Sequence, residues 1–159
     1  MSFKTRSFKI LAICGVLLVS GLSFQAHAEA SPDPASVIAS DDKLFNDFGG
    51  HDGLVRIMDD LMVNLLADER THDFFVAAKQ DHLKAMLVEQ FCHILNGGCV
   101  YTGKDMKTAH KDLGVDQAAM FALVEDLQKA MDKNHVPFAS QNKLLAALAP
   151  QHRDIVTVP

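Results

Sequence analysis

Beyond residue 28 the chain carries seven histidines, His51, His72, His82, His93, His110, His135 and His152, and two cysteines, Cys92 and Cys99. A helix offers two imidazoles to one metal ion when they stand three or four residues apart. No pair here has that spacing, and neither HExxH nor a clustered Cys/His pattern is present. A GxSxG nucleophile elbow is also missing, and the glycine pairs lack the phosphate-cradling context of GxGxxG or a P-loop. CxxCH, which would attach haem covalently, does not occur either. What survives is chemistry that needs one imidazole and an apolar pocket, namely non-covalent haem on a single axial histidine. His110, within "YTGKDMKTAHKDLGV" at residues 101–115, is the histidine for which that role comes into question. Taken alone, a histidine in such an amphipathic stretch is far more often a core or surface residue than a ligand.

Residues 1–28 have the three parts of a secretory leader: Lys4, Arg6 and Lys9, then an apolar run from Ile10 to about Phe24, then Ala26-His27-Ala28 before Glu29. Cleavage there predicts a protein secreted across the inner membrane, periplasmic in a Gram-negative host. Cys14 follows Ile13 where lipid attachment would require a small residue. Removing a leader with three basic and no acidic residues takes the formal net charge from −5 to −8. So acidic a chain is a poor partner for nucleic acid or an anionic membrane. In an oxidising compartment Cys92 and Cys99 either close a short disulfide loop or remain two thiols.

These residues must be positioned by helices. Residues 29–41 are small, polar and proline-bearing and predict a flexible linker; residues 42–157 predict one all-helical domain. "DKLFNDF" is a first helix ending at Gly49-Gly50. Leu54, Met58, Leu61, Met62 and Leu65 form one apolar face of a second. "DERTHDFF" predicts a corner, and Leu83, Met86, Leu87, Phe91 and Ile94 mark a long helix that stops at Asn96-Gly97-Gly98. Asp116 is the expected N-cap of a helix carrying Met120, Val124, Leu127 and Met131. A last helix with Leu144, Leu145 and Leu148 precedes a trailing "PQHRDIVTVP".

"LFNDFGGHDGLVRIMDDLM", "LLADERTHDFF", "LNGGCVYTGKDMKTAHKDLGV" and "VEDLQKAMDKNHVPFASQNKLLAALAPQHRDIV" together resemble a truncated haemoglobin of the first group, over residues 43–156. The resemblance implies a truncated globin-like 2-over-2 helical sandwich around haem b, with His110 as the proximal iron ligand. It implies that Phe75 packs on the haem, that Leu83, Leu87 and Phe91 face the distal pocket or its access route, and that Tyr101 and Met106 lie near the cofactor. Lys104 and Lys107 are candidate propionate partners.

Many relatives donate a hydrogen bond to bound oxygen from a tyrosine and a glutamine. The matching positions here are Met62 and Leu87, with Leu83 at the entrance, which predicts an apolar distal pocket. A hydrogen bond to a charged acceptor is worth about 1.5–3 kcal/mol, so oxygen retention should fall roughly ten- to a hundredfold. Met86, or His82 nearby, is a candidate sixth ligand. These features leave reversible binding of oxygen, nitric oxide or carbon monoxide as the first expectation. Nitric oxide dioxygenation with a separate reductase is the second. Electron transfer or redox sensing through a six-coordinate iron, with Cys92 and Cys99 as a thiol switch, is the third, and a haem-free helical domain the last.

Overall fold

Gly49 and Gly50, with φ of 77° and 63°, let the chain end one helix and begin the next almost at once, in a conformation that costs glycine little. The structure is a computed structural model describing residues 37–38 and 42–158. The leader, Cys14 and most of the expected linker lie outside the described residues. Within that linker, the Ile38 N–H donates to the Ile94 carbonyl at 2.9 Å and its side chain packs on the core.

In chain order the helices are α1 (Asp42–Asp47), α2 (Gly50–Ala67), α3 (His72–Val76), α4 (Gln80–Ile94), α5 (Met106–His110), α6 (Gln117–Lys133), α7 (Phe138–Leu148) and α8 (His152–Ile155). A 3-10 turn, Ala149–Gln151, joins the last two. The domain is all-α, and its long helices form a 2-over-2 sandwich. α2 is the element on which the rest is assembled, since it packs against α3, α4 and α6. Its five predicted apolar residues are all buried, and Ile57 joins them. Leu54, Ile57, Met58, Leu61 and Leu65 join one core with Leu44 of α1, Phe48 just after it, Ile94 and Leu95 at the end of α4, Leu127 and Met131 of α6 and Leu144 of α7. Full burial of each such side chain contributes about 1.5–3 kcal/mol.

Polar bonds fix the register of these faces. Asn64 Nδ2 donates to the Asp126 carbonyl at 3.0 Å, joining α2 to α6. Asp60 accepts from Lys133 Nζ at 2.6 Å and from Asn134 Nδ2 at 2.8 Å. Asp116 caps α6 as expected, accepting from the Ala119 N–H at 2.8 Å.

Two segments are more ordered than the sequence pattern predicts. The corner after α2 contains α3, and its turn is held by Thr71 Oγ1, which donates to the Leu65 carbonyl at 2.8 Å. The trailing C-terminus forms α8, after which the Thr157 N–H donates to the Val115 carbonyl at 2.9 Å. Elements of five and four residues are too short to show a helical period.

The tightest backbone approach is at Gly53, where an added Cβ would run into the Phe48 carbonyl group. Gly53→Ala should therefore destabilise the domain by about 1–3 kcal/mol. Val63→Ala, at a position 65% exposed on the same helix, should stay within about 0.5 kcal/mol. Urea unfolding midpoints of the two variants test this.

Candidate functional site

One apolar stripe on α4 serves two purposes. Its C-terminal half, Val88, Phe91, Cys92 and Ile94, is buried, whereas Leu83, Met86 and Leu87 are half-buried. Those three, with Phe91, line a cavity of about 1300 Å³ between the helices. Leu61 and Leu65 of α2, Phe74 and Phe75 of α3, and Met120, Val124 and Leu127 of α6 continue its wall. Tyr101, Met106 and His110 line it from the segment that contains α5.

α5 has only five residues and buries none of them, so propensity alone would not hold it. Asp105 caps its start, accepting from the Thr108 N–H at 2.9 Å, and those hydrogen bonds from Thr108 hold the Asp105 carboxyl below its ordinary range. α8 packs against α5 from the C-terminal side. The Cys92–Cys99 disulfide ties the preceding loop to α4.

At the end of this helix His110 Nδ1 lies 2.8 Å from the Met106 carbonyl. A carbonyl oxygen only accepts, so Nδ1 carries the proton and Nε2 keeps its lone pair. Tyr101 is committed elsewhere: its hydroxyl donates to the Lys104 carbonyl at 2.7 Å. Burial, then Glu89 and Asp105, push the phenol pKa up. Thr71 likewise spends its hydroxyl on the backbone. The part of the wall contributed by α2, α3, Leu83, Met86 and Leu87 carries no side-chain hydrogen-bond donor, while Lys79 and His82 line the cavity beside it.

Of the residues singled out by sequence, the structure gathers His110, Phe75, Leu83, Met86, Leu87, Phe91, Tyr101 and Met106 around one cavity, with His82 and Lys104 also on its lining. Met62 and Lys107 are not on that lining. Met62 is buried, and its neighbours Leu61 and Leu65 line the cavity instead.

One polar group in the same wall is not among the candidates that spacing and resemblance pick out. Gln90, 4% exposed, extends Nε2 to within 3.7 Å of Met106 Sδ and 3.5 Å of Gln151 Oε1. Gln151 Nε2 and His152 Nε2 are buried without a partner. The signal was available for Gln90, which continues the spacing of Leu83, Leu87 and Ile94 along one helix face.

A large apolar cavity with one oriented imidazole fits a porphyrin whose iron takes a single axial nitrogen. Leu113 and Phe121, each more than half exposed, also line it and would be covered by such an occupant. Among the described residues no three His, Cys, Asp or Glu side chains cluster to hold a bare ion.

Comparison with known proteins agrees with this geometry. The family model described as "Bacterial-like globin" matches residues 43–156. A group 1 truncated hemoglobin, GlbN, from Mycolicibacterium paratuberculosis is 31% identical over 114 residues, spanning 72% of this chain and 84% of that protein. The truncated hemoglobin of Tetrahymena pyriformis in its Fe(III) form superposes with a TM-score of 0.69 at 23% identity, covering 72% of this chain and 98% of that one. The 2/2 hemoglobin of Synechococcus sp. PCC 7002, a structure with covalently attached heme, gives 0.66 at 24% identity, covering 71% and 97%.

The cap on α5 gives a pH-dependent prediction. Because the Asp105 carboxyl is held low by Thr108, its support is complete above the ordinary carboxylate pKa and is lost as pH falls through the lower folded value. Asp105→Ala should speed amide exchange across α5 severalfold at neutral pH and remove that acid dependence, as read by hydrogen exchange.

Proposed function

Because this chain belongs to the bacterial-like globin family, as a group I truncated haemoglobin with haem as its cofactor, we propose that His110 holds the iron in an exported, reversible binder of a diatomic gas. Haem-based gas binding is common to the family; when bound, the haem supplies an iron open to a small ligand. The observation that carries the assignment is the 2.8 Å bond from His110 Nδ1 to the Met106 carbonyl. That bond fixes the ring's orientation, directs the remaining lone pair to Nε2 and raises its basicity.

Phe74, Phe75, Leu83, Leu87 and Phe91 give the cavity an apolar wall, beside which Lys79, His82 and Gln90 bring donor-bearing side chains to the lining. Such a wall favours a ligand that develops little charge, and it works against the long oxygen retention that nitric oxide dioxygenation needs. A second reading rests on Met86, whose side chain lines the cavity beside Leu83 and Leu87. Its thioether is a suitable sixth ligand, which would turn the site toward electron transfer.

Absorption spectra of residues 29–159 loaded with haem test the assignment. The expected result is a high-spin ferrous form that binds carbon monoxide at once, and a haem band lost in His110→Ala. A low-spin ferrous form that becomes high-spin in Met86→Ala would instead establish the second reading. Leu87→Gln should place an amide in the apolar wall and slow oxygen release at least about tenfold, the factor given by 1.4 kcal/mol. Carbon monoxide release should change much less in stopped-flow measurements. Mass spectrometry of the exported protein should find Glu29 at its N-terminus.

A further inference from the structure

The loop between α4 and α5 is fastened to α4 at three points. Cys99 is joined to Cys92, which is completely buried in the last turns of α4. The Cys99 carbonyl accepts from His93 Nδ1 at 3.2 Å. Glu89 accepts from both the Thr102 N–H at 3.1 Å and the Thr102 hydroxyl at 2.7 Å. Asn96 and Gly98, with φ of 59° and 80°, reverse the chain so that Cys99 returns alongside its own helix.

What this fastening holds is the cavity rim. Tyr101, Thr102, Gly103 and Lys104 line the cavity immediately after Cys99, and the Asp105 cap and His110 follow within the next few residues. α5 buries no residue of its own, so its placement depends on the segments at its two ends and on α8 packed beside it.

We infer that the Cys92–Cys99 disulfide is a redox-sensitive clasp that positions the rim and α5, and through them sets how firmly the haem is retained. The inference rests on the haem reading above and adds a chemical input to the same site. The agent is a dithiol. Its thiolate attacks Sγ of half-buried Cys99 and expels the Cys92 thiolate, which takes up a proton. The second thiol of the agent then displaces Cys99, which is protonated in turn, and the agent leaves as a cyclic disulfide. Two electrons pass to the protein, and both cysteines end as thiols. Cys92 remains a small buried apolar residue, while the loop loses the cross-link that holds Cys99 against α4.

The test is transfer of ferric haem from the loaded chain, residues 29–159, to excess haem-free myoglobin. It compares the oxidised protein, the protein opened by dithiothreitol and verified by alkylation of two thiols, and the Cys92→Ala/Cys99→Ala double variant. The expected result is transfer about tenfold faster from the opened protein and from the variant than from the oxidised form, with no further effect of dithiothreitol on the variant. Equal rates from oxidised and opened protein would overturn the clasp. So would acceleration by dithiothreitol in the variant equal to that in the wild type, because the agent would then be acting on the iron. If the variant does not fold, the opened wild type decides alone. A chain that takes up no haem shows no Soret band at loading, an outcome that overturns the haem reading and the clasp with it.

Discussion

A single hydrogen bond, from His110 Nδ1 to the carbonyl one turn earlier at Met106, decides what the cavity can do. Without it the imidazole could present either nitrogen in either tautomer. With it, one lone pair remains, and the ring that carries it cannot rotate without breaking the bond. Because donor and acceptor belong to one five-residue helix, the bond also makes the orientation of α5 and the orientation of the imidazole the same question. The N-cap at Asp105, the packing of α8 and the disulfide-tied loop are all answers to it.

The rest of the domain supplies a cavity that an isolated short helix could not. α2 gathers α3, α4 and α6 around a core of leucine, isoleucine and methionine, and the core gives way to the cavity where half-buried Leu83, Met86 and Leu87 line it. A haem face is the apolar surface that completes such a wall. The polar exceptions are informative. Thr71 and Tyr101 use their hydroxyls on backbone carbonyls. Gln90 and Gln151 gather beside Met106, next to the segment that carries the imidazole.

The long helices were readable because α2, α4 and α6 repeat apolar residues every three or four positions over fifteen or more residues. α3 and α8 were not, since a single turn has no period. Periodicity also cannot separate residues that touch protein from residues that touch a cofactor: Leu83 and Ile94 sit on one stripe, yet one lines the cavity and the other closes the core. The same limit explains Met62, which belongs to the right helix face while Leu61 and Leu65 reach the cavity. For His110 the sequence supplied the position through its surroundings, the YTG loop and the glycine pair before it. The proton on Nδ1 became visible only with the Met106 carbonyl in place.

The central claim is that Nε2 of His110 is the iron's protein ligand. Resonance Raman spectra of the ferrous haem-loaded chain test it most directly. The expected result is an iron–imidazole stretching band that shifts with ¹⁵N-histidine, disappears in His110→Gly and returns, displaced, when free imidazole is added to that variant. A band that persists unchanged in His110→Gly would show that another residue holds the iron and would contradict the account.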